Sequence, residues 1–198
     1  MKQSYIFENF SPTSQMEFYT FTPGLTSEDI ENVFKLIEEL PYTQASIGTN
    51  KGRAVVDNYR RSNVKWIPQN ESTKWLYEKL VKLIIEANDK LWHFDLSTIS
   101  EQIQYTEYPA GGGHYDWHAD CGANHASIRK VSITVQLTSS DEYTGGDLQI
   151  FNNNQVKIAS RDKGNVVIFP SYLMHRVSPV EAGLRKSLVL WVGGAPFR

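Results

Sequence analysis

Lys130-Val131-Ser132-Ile133-Thr134-Val135-Gln136-Leu137-Thr138 alternates aliphatic with polar side chains, the period-two pattern of a strand with one face on a core. Outward from it, everything after Asp95 has the same character. Short runs rich in β-branched and aromatic residues alternate with Gly, Asn, Asp and Pro clusters. Candidate strands are Ser100 to Tyr108, His114 to His118, Leu148 to Asn152, Asn165 to Pro170, His175 to Ser178 and Arg185 to Val192. Gly145-Gly146 and Asn152 to Asn154 read as turns. Many short strands of this kind indicate a sandwich or barrel.

Before Asp95 the period is helical. Thr26 followed by Asp29 approximates a capping box, and Ile30, Val33, Phe34, Ile37 and Leu40 recur at helical spacing up to Pro41. A second helix starts near Ser72, with Trp75, Leu76, Leu80, Leu83, Ile84, Ala87 and Leu91 on one face. Helices first and strands afterwards predict an α+β fold, a jelly roll with N-terminal supporting helices. A length of 198 residues suits one domain over 1–198, with a helical front part over about 1–96 and a jelly-roll core over about 97–198.

A formal charge of −2 gives no broad footprint for nucleic acid. The N-terminus lacks the apolar core of a signal peptide, and no apolar run reaches the roughly 18 to 20 residues of a membrane span. One cysteine, Cys121, excludes an intrachain disulfide and fits a reducing compartment. These features predict a cytoplasmic protein with no membrane and no nucleic-acid partner.

His118 and Asp120 sit two apart, so on a strand they would share a face. Gly111, Gly112, Gly113 and Gly122 bracket them, which suits a closely packed backbone. His175 follows the apolar run Val166 to Phe169. Two imidazoles and a carboxylate form the facial ligand set of non-haem Fe(II) sites, which leaves coordination positions open. Alone, a His-X-Asp is weak, and a histidine at a strand edge is often only hydrogen-bonded. His93 and His125 suit ligation less. His114, four before His118 on the same expected face, is the rival ligand, read here as a pocket group. Arg185, Ser187, Val189 and Trp191 share one strand face, and a guanidinium there is costly unless it meets a carboxylate.

With the Gln-Tyr-Thr-Glu-Tyr-Pro run from Gln104, the glycines before His118, Thr144-Gly145-Gly146-Asp147-Leu148, Phe169-Pro170-Ser171, His175-Arg176-Val177 and Arg185-Lys186-Ser187, the chain resembles the iron(II)- and 2-oxoglutarate-dependent dioxygenases. The likeness is to the prolyl 4-hydroxylase-like branch and its bacterial and phage relatives, and it spans about half the chain. It implies a double-stranded β-helix with His118, Asp120 and His175 as Fe(II) ligands. It implies Arg185 as the catalytic-site anchor of the distal carboxylate of 2-oxoglutarate, with Ser187 assisting and Tyr108, Tyr105 and Gln136 lining that pocket. O2 is the other co-substrate, and ascorbate a candidate reductant. The implied reaction decarboxylates 2-oxoglutarate to succinate and hydroxylates an unactivated carbon. A prolyl residue of a peptide or protein leads as substrate, with a free amino acid or small metabolite as the alternative. Collagen-type relatives often carry Lys where this chain has Arg185, which weakens transfer of the substrate. Halogenating relatives have a small residue in place of Asp120, so the intact carboxylate favours an oxygenase outcome.

Two other classes compete. A zinc hydrolase could use the same three ligands but has no need of Arg185 and Ser187. A silent binding module would be expected to lose a ligand or the anchor. Thr43 to Tyr59, long and polar, reads equally as a substrate-covering lid or a surface connection. Of Arg60, Arg61 and Arg176, at least two are expected to make ordinary surface contacts rather than read a substrate. Tyr115 and Trp117 are expected beside the ligand strand, and Cys121 is read as structural.

Overall fold

The computed structural model describes residues 18–45, 47–49, 52–54 and 56–195. The front half holds β1 (Tyr19–Phe21), α1 (Ser27–Glu38), β2 (Thr43–Gln44), a two-stranded hairpin of β3 (Ile47–Thr49) and β4 (Gly52–Ala54), β5 (Arg60–Arg61), β6 (Asn63–Ile67) and α2 (Lys74–Leu91). The remainder holds β7 (Leu96–Thr98), β8 (Ile103–Pro109), β9 (Gly113–His118), a 3-10 turn (Asn124–Ile128), β10 (Arg129–Gln136), β11 (Tyr143–Gly145), β12 (Leu148–Asn152), β13 (Gln155–Ile158), β14 (Val166–Pro170) and β15 (His175–Gly194).

Antiparallel pairing runs β1-β14-β10-β15-β8-β6-β2 on one side of the fold. The other side is built from β13, β12, β15, β9 and β5. β15 belongs to both. Its first residues pair with β12 and β9, and residues 184–193 pair with β8 and β10. The two strands expected at His175 to Ser178 and Arg185 to Val192 are therefore one 20-residue strand. Its bend falls near Gly183, at φ +75°, where an added Cβ would lie 2.1 Å from the Glu142 carbonyl oxygen. That closes the jelly roll and carries His175 and Arg185 on a single element.

Alternation gives the major side two different faces. Val131, Ile133, Val135, Val166, Ile168, Leu188 and Leu190 pack with α1 and α2, while Ser132, Thr134, Arg185 and Ser187 turn inward between the sheets. The inner apolar core, Leu148, Ile150, Val167, Phe169 and Leu173, fills only one end of that space. The other end remains a cavity.

The two expected helices form. Thr26 and Asp29 complete the capping box, with Asp29 N donating to Thr26 Oγ1 at 3.2 Å and Thr26 N donating to Asp29 Oδ2 at 2.7 Å. α2 starts at Lys74 rather than Ser72, because the Asn70 to Thr73 turn is closed on itself by the Asn70 side chain. Its buried face includes Tyr77, whose hydroxyl donates to Ile67 O and accepts from Ile103 N. The front half is not purely helical: β1, β2, β5 and β6 all join the sheets.

Candidate active site

His118 ends β9 and His175 opens β15, where they are direct cross-strand partners with ring centroids 4.2 Å apart. Asp120 lies beyond the strand, so strand alternation does not bring it to the histidines. Instead, Asp120 N and Cys121 N both donate to Ser171 O, at 2.9 and 3.0 Å, which turns the carboxylate inward. Ser132 donates to Asp120 Oδ2 at 2.7 Å. Among the described residues, His118, Asp120 and His175 are the group of ligand-type side chains that converges, with ligand atoms within 4.8 Å of one another.

The protonation pattern matters. His118 Nδ1 lies 2.7 Å from Asp116 O, and His175 Nδ1 lies 2.9 Å from Leu173 O. A carbonyl oxygen only accepts, so both Nδ1 atoms carry a hydrogen, and in a neutral imidazole that leaves Nε2 to present the lone pair. Those Nε2 atoms face Asp120 at 3.6 and 3.4 Å, too far for hydrogen bonds. Burial, reinforced by the nearby His175, pushes His118 down to about 3, so it stays neutral. Burial by itself would raise the Asp120 carboxyl, but the positive charge that His175 and His118 carry when protonated, together with the Ser132 bond, outweighs it and holds the carboxyl low. With both rings neutral, two nitrogen lone pairs and a carboxylate converge, the arrangement a cation completes. The donor set of two nitrogens and one oxygen fits Fe(II) with open positions.

These residues line one cavity of about 840 Å³ between the sheets. At its inner end Arg185 is 1% exposed, and its Nε and Nη2 have no hydrogen-bond partner. Nη1 makes only a long 3.4 Å contact to Ser187 Oγ, and the guanidinium stands 5.3 Å over the Tyr108 ring. Gln136 is the cross-strand neighbour of Ser187, buried with both amide atoms unpartnered. Tyr143 hydroxyl is likewise buried and unpartnered. Gly146, at φ +63°, makes room for Arg185: a Cβ there would lie 3.1 Å from Arg185 Cδ and 2.8 Å from Val180 Cγ2.

Several expected residues lie elsewhere. Tyr105 faces the helices, because it is three from Tyr108 and strand alternation puts them on opposite faces. Its hydroxyl donates to Glu107 Oε1 at 2.6 Å. Besides Tyr108, the residue of β8 that reaches the cavity is Gln104. His114 turns to Gly112 O and Asn58 O, away from the ligand group. Arg61 donates to Gly111 O, and Arg176 donates to Gln149 and covers Trp117. Cys121 has its thiol pushed up by burial and then by Asp120, which suits no nucleophile. Of the expected lid, residues 46, 50–51 and 55 lie outside the described residues, while Thr43 and Ala45 line the cavity.

Sequence reading missed Ser132, Gln104 and Arg129. Arg129 grips Glu101 through Nε and Nη2 at 2.6 and 2.5 Å, donates to Asp120 O at 3.1 Å, and stacks 4.0 Å over Trp191. Nothing local in the sequence marks it, since its partners come from three separate segments.

Comparison with known proteins settles the family. The model of the 2OG-Fe(II) oxygenase superfamily matches residues 103–193, the stretch that carries all three ligands and Arg185. Residues 103–193 belong to the 2OG-Fe(II) oxygenase superfamily. Together with the relatives below, this match supports a 2-oxoglutarate-dependent dioxygenase similar to proline hydroxylases, and the superfamily implies Fe(II), 2-oxoglutarate and O2. The zinc-hydrolase reading does not fit that match. A PKHD-type hydroxylase of Rippkaea orientalis is 25% identical over 176 residues, 87% of this chain and 77% of that protein. One from Stenotrophomonas maltophilia is 36% identical over 91 residues, but this covers 42% of the chain and 39% of the relative. Among solved structures, a Trichoplax adhaerens prolyl hydroxylase in complex with a hypoxia inducible factor peptide fragment superposes with a TM-score of 0.74 at 21% identity, covering 89% of this chain and 83% of that one. A Pseudomonas putida prolyl-4-hydroxylase gives 0.68 at 20%, with 90% and 92% covered. These likenesses bear out the double-stranded β-helix. No helix among the described residues of this oxygenase is long and apolar enough to cross a membrane.

Proposed function

We propose that this oxygenase hydroxylates a prolyl residue of a peptide or protein. In this reading His118, Asp120 and His175 hold Fe(II), and Arg185 holds the distal carboxylate of 2-oxoglutarate. The observation that carries it is the buried, unpaired Arg185 guanidinium in the same cavity as three converging acceptors. A guanidinium cannot shed its proton, so its burial calls for an anion, and its planar fork matches a carboxylate. Ser187 and Tyr108 line the cavity beside it, and Gln136 is the cross-strand neighbour of Ser187.

Bound there, Fe(II) and 2-oxoglutarate would supply the oxidising chemistry, with O2 consumed, succinate and CO2 released and a hydroxyl left on the substrate carbon. The chain's own contribution is positional. Ser132 fixes the carboxylate of Asp120, and backbone carbonyls fix both imidazoles. Trp66, Tyr115, Val189 and Trp191 also line the cavity, where a substrate C–H would be held near the ligands and away from water. The Trichoplax relative binds a peptide fragment, which supports a peptide over a free metabolite. Ascorbate enters only as an external reductant.

The test is incubation with Fe(II), 2-oxoglutarate and a proline-containing peptide library in air, read by mass spectrometry. The expected result is a 16 Da gain confined to proline, with matching succinate. Succinate matched by hydroxylated free amino acid would favour the small-substrate reading.

A further inference from the structure

Among the described residues two arginines are buried, and neither meets a carboxylate. Arg185 is answered by the keto acid; Arg60, 7% exposed, is answered by nothing in that scheme. Its Nε donates to Ser62 Oγ at 3.0 Å and its Nη2 to Gln104 Oε1 at 2.7 Å. Both acceptors are neutral, so they orient the guanidinium without offsetting its charge. Gln104 Oε1 also accepts from Thr106 Oγ1, which pins the amide and through it the arginine. Glu101, a carboxylate on the same cavity wall, is occupied by Arg129.

Arg60 has a definite place relative to the ligands. It is the cross-strand partner of Tyr115, with Cζ 4.5 Å from that ring's centroid. Tyr115 in turn stacks on His118 with centroids 3.5 Å apart and planes 18° apart. A face occupied at 3.5 Å has no room for a second group, so the tyrosine ring lies between arginine and ligand. Arg60 therefore stands one ring's thickness from the metal-binding group, beside cavity-lining Val64 and Trp66. The keto-acid end is elsewhere. Arg185 pairs with Tyr108 on β8 and Arg60 is tied to Gln104, four residues along, or roughly 13 Å at ~3.3 Å per residue.

A buried cation that cannot deprotonate and has only neutral partners is costly unless an anion arrives. The geometry points to Arg60 as a specificity-determining residue that binds a carboxylate of the prime substrate, within about two residues of the carbon that is hydroxylated, at ~3.3 Å per extended residue. This rests on the hydroxylase reading and narrows it: the substrate is anionic beside its reacting residue. The carboxylate has two sources, an Asp or Glu side chain next to the proline, or the α-carboxylate of a terminal or free residue.

The experiment measures binding rather than turnover. Fluorescent proline peptides are made in two matched pairs, one with Glu or Gln beside the proline, the other ending at the proline as carboxylate or carboxamide. Affinities are measured by anisotropy under anaerobic conditions with Fe(II) and 2-oxoglutarate present, for the wild type, Arg60→Gln and Arg60→Lys. The wild type is expected to bind the anionic member of one pair at least tenfold more tightly, and that pair identifies the source. Arg60→Gln should bring the ratio close to one by weakening the anionic member alone. Arg60→Lys, which keeps the charge and loses the fork, should retain part of the preference. Equal weakening of both members would make Arg60 only a prop for Tyr115 and overturn the assignment. So would a wild type that discriminates in neither pair or binds none of the peptides. Failure of the hydroxylase reading looks different: 2-oxoglutarate would not bind at all, whatever the peptide ratio.

Discussion

Ser132 donates its hydroxyl hydrogen to Asp120 Oδ2 at 2.7 Å, and Ser171 stands 2.9 Å behind it. A hydroxyl has one hydrogen, so Ser171 must be the donor to Ser132. This relay reaches across from β10 and fixes which way the carboxylate faces. Ser132→Ala is expected to weaken Fe(II) or Co(II) binding about 10- to 100-fold, the usual scale for losing an outer partner of a metal ligand. A chelator-competition titration checks it, and unchanged affinity would mean that the Ser171 backbone contacts alone orient Asp120.

Arg185→Met should act with opposite signs on binding and on stability. Loss of the anchor is expected to raise the 2-oxoglutarate dissociation constant by at least about 30-fold, corresponding to roughly 2 kcal/mol or more for a desolvated charge pair. In the ligand-free protein, however, the same change removes an unpaired buried charge. The variant should then unfold at higher denaturant concentration, by about 1–4 kcal/mol. A less stable ligand-free variant would show that Arg185 has an internal role.

Gly146→Ala should damage the keto-acid end while sparing the metal. Its φ of +63° disfavours any side chain, and the new methyl would press on Arg185 Cδ and Val180. A stability loss of about 1 kcal/mol is expected, with weaker 2-oxoglutarate binding and near-normal metal affinity. Parallel isothermal titrations of metal and keto acid separate the two.

Tyr105→Phe and Gln136→Leu form a contrasting pair. Tyr105 serves Glu107 on the helix side, so its loss should cost about 1 kcal/mol of stability and leave 2-oxoglutarate affinity unchanged. Gln136 borders Ser187 with both amide atoms free, so Gln136→Leu should lower that affinity by up to tenfold with little loss of stability. If Tyr105→Phe lowered the affinity and Gln136→Leu did not, the face assignment of β8 and β10 would be reversed.

The strand and helix periods were readable because burial here follows simple alternation: Ser132 and Thr134 turn in while Val131 and Ile133 turn out. The inward face of Arg185, Ser187, Val189 and Trp191 was readable for the same reason. What escaped depends on contacts distant in sequence. Asp120 reaches the histidines because Ser171 catches two backbone amides, not because it lies on a strand. The resemblance groups Tyr105 with Tyr108, although their spacing of three puts them on opposite faces. Arg60 and Arg129 acquire meaning only from partners 44 and 28 residues away, such as Gln104 and Glu101.

The most direct test is an anaerobic titration of 2-oxoglutarate into the Fe(II)-loaded protein, read in the visible spectrum. The account predicts a weak charge-transfer band in the wild type, from a keto acid chelated to ferrous iron at open positions. In Arg185→Met the same band should appear only at 2-oxoglutarate concentrations at least about 30-fold higher. A wild type that holds Fe(II) but shows no band, or a titration midpoint that Arg185→Met leaves in place, would contradict it.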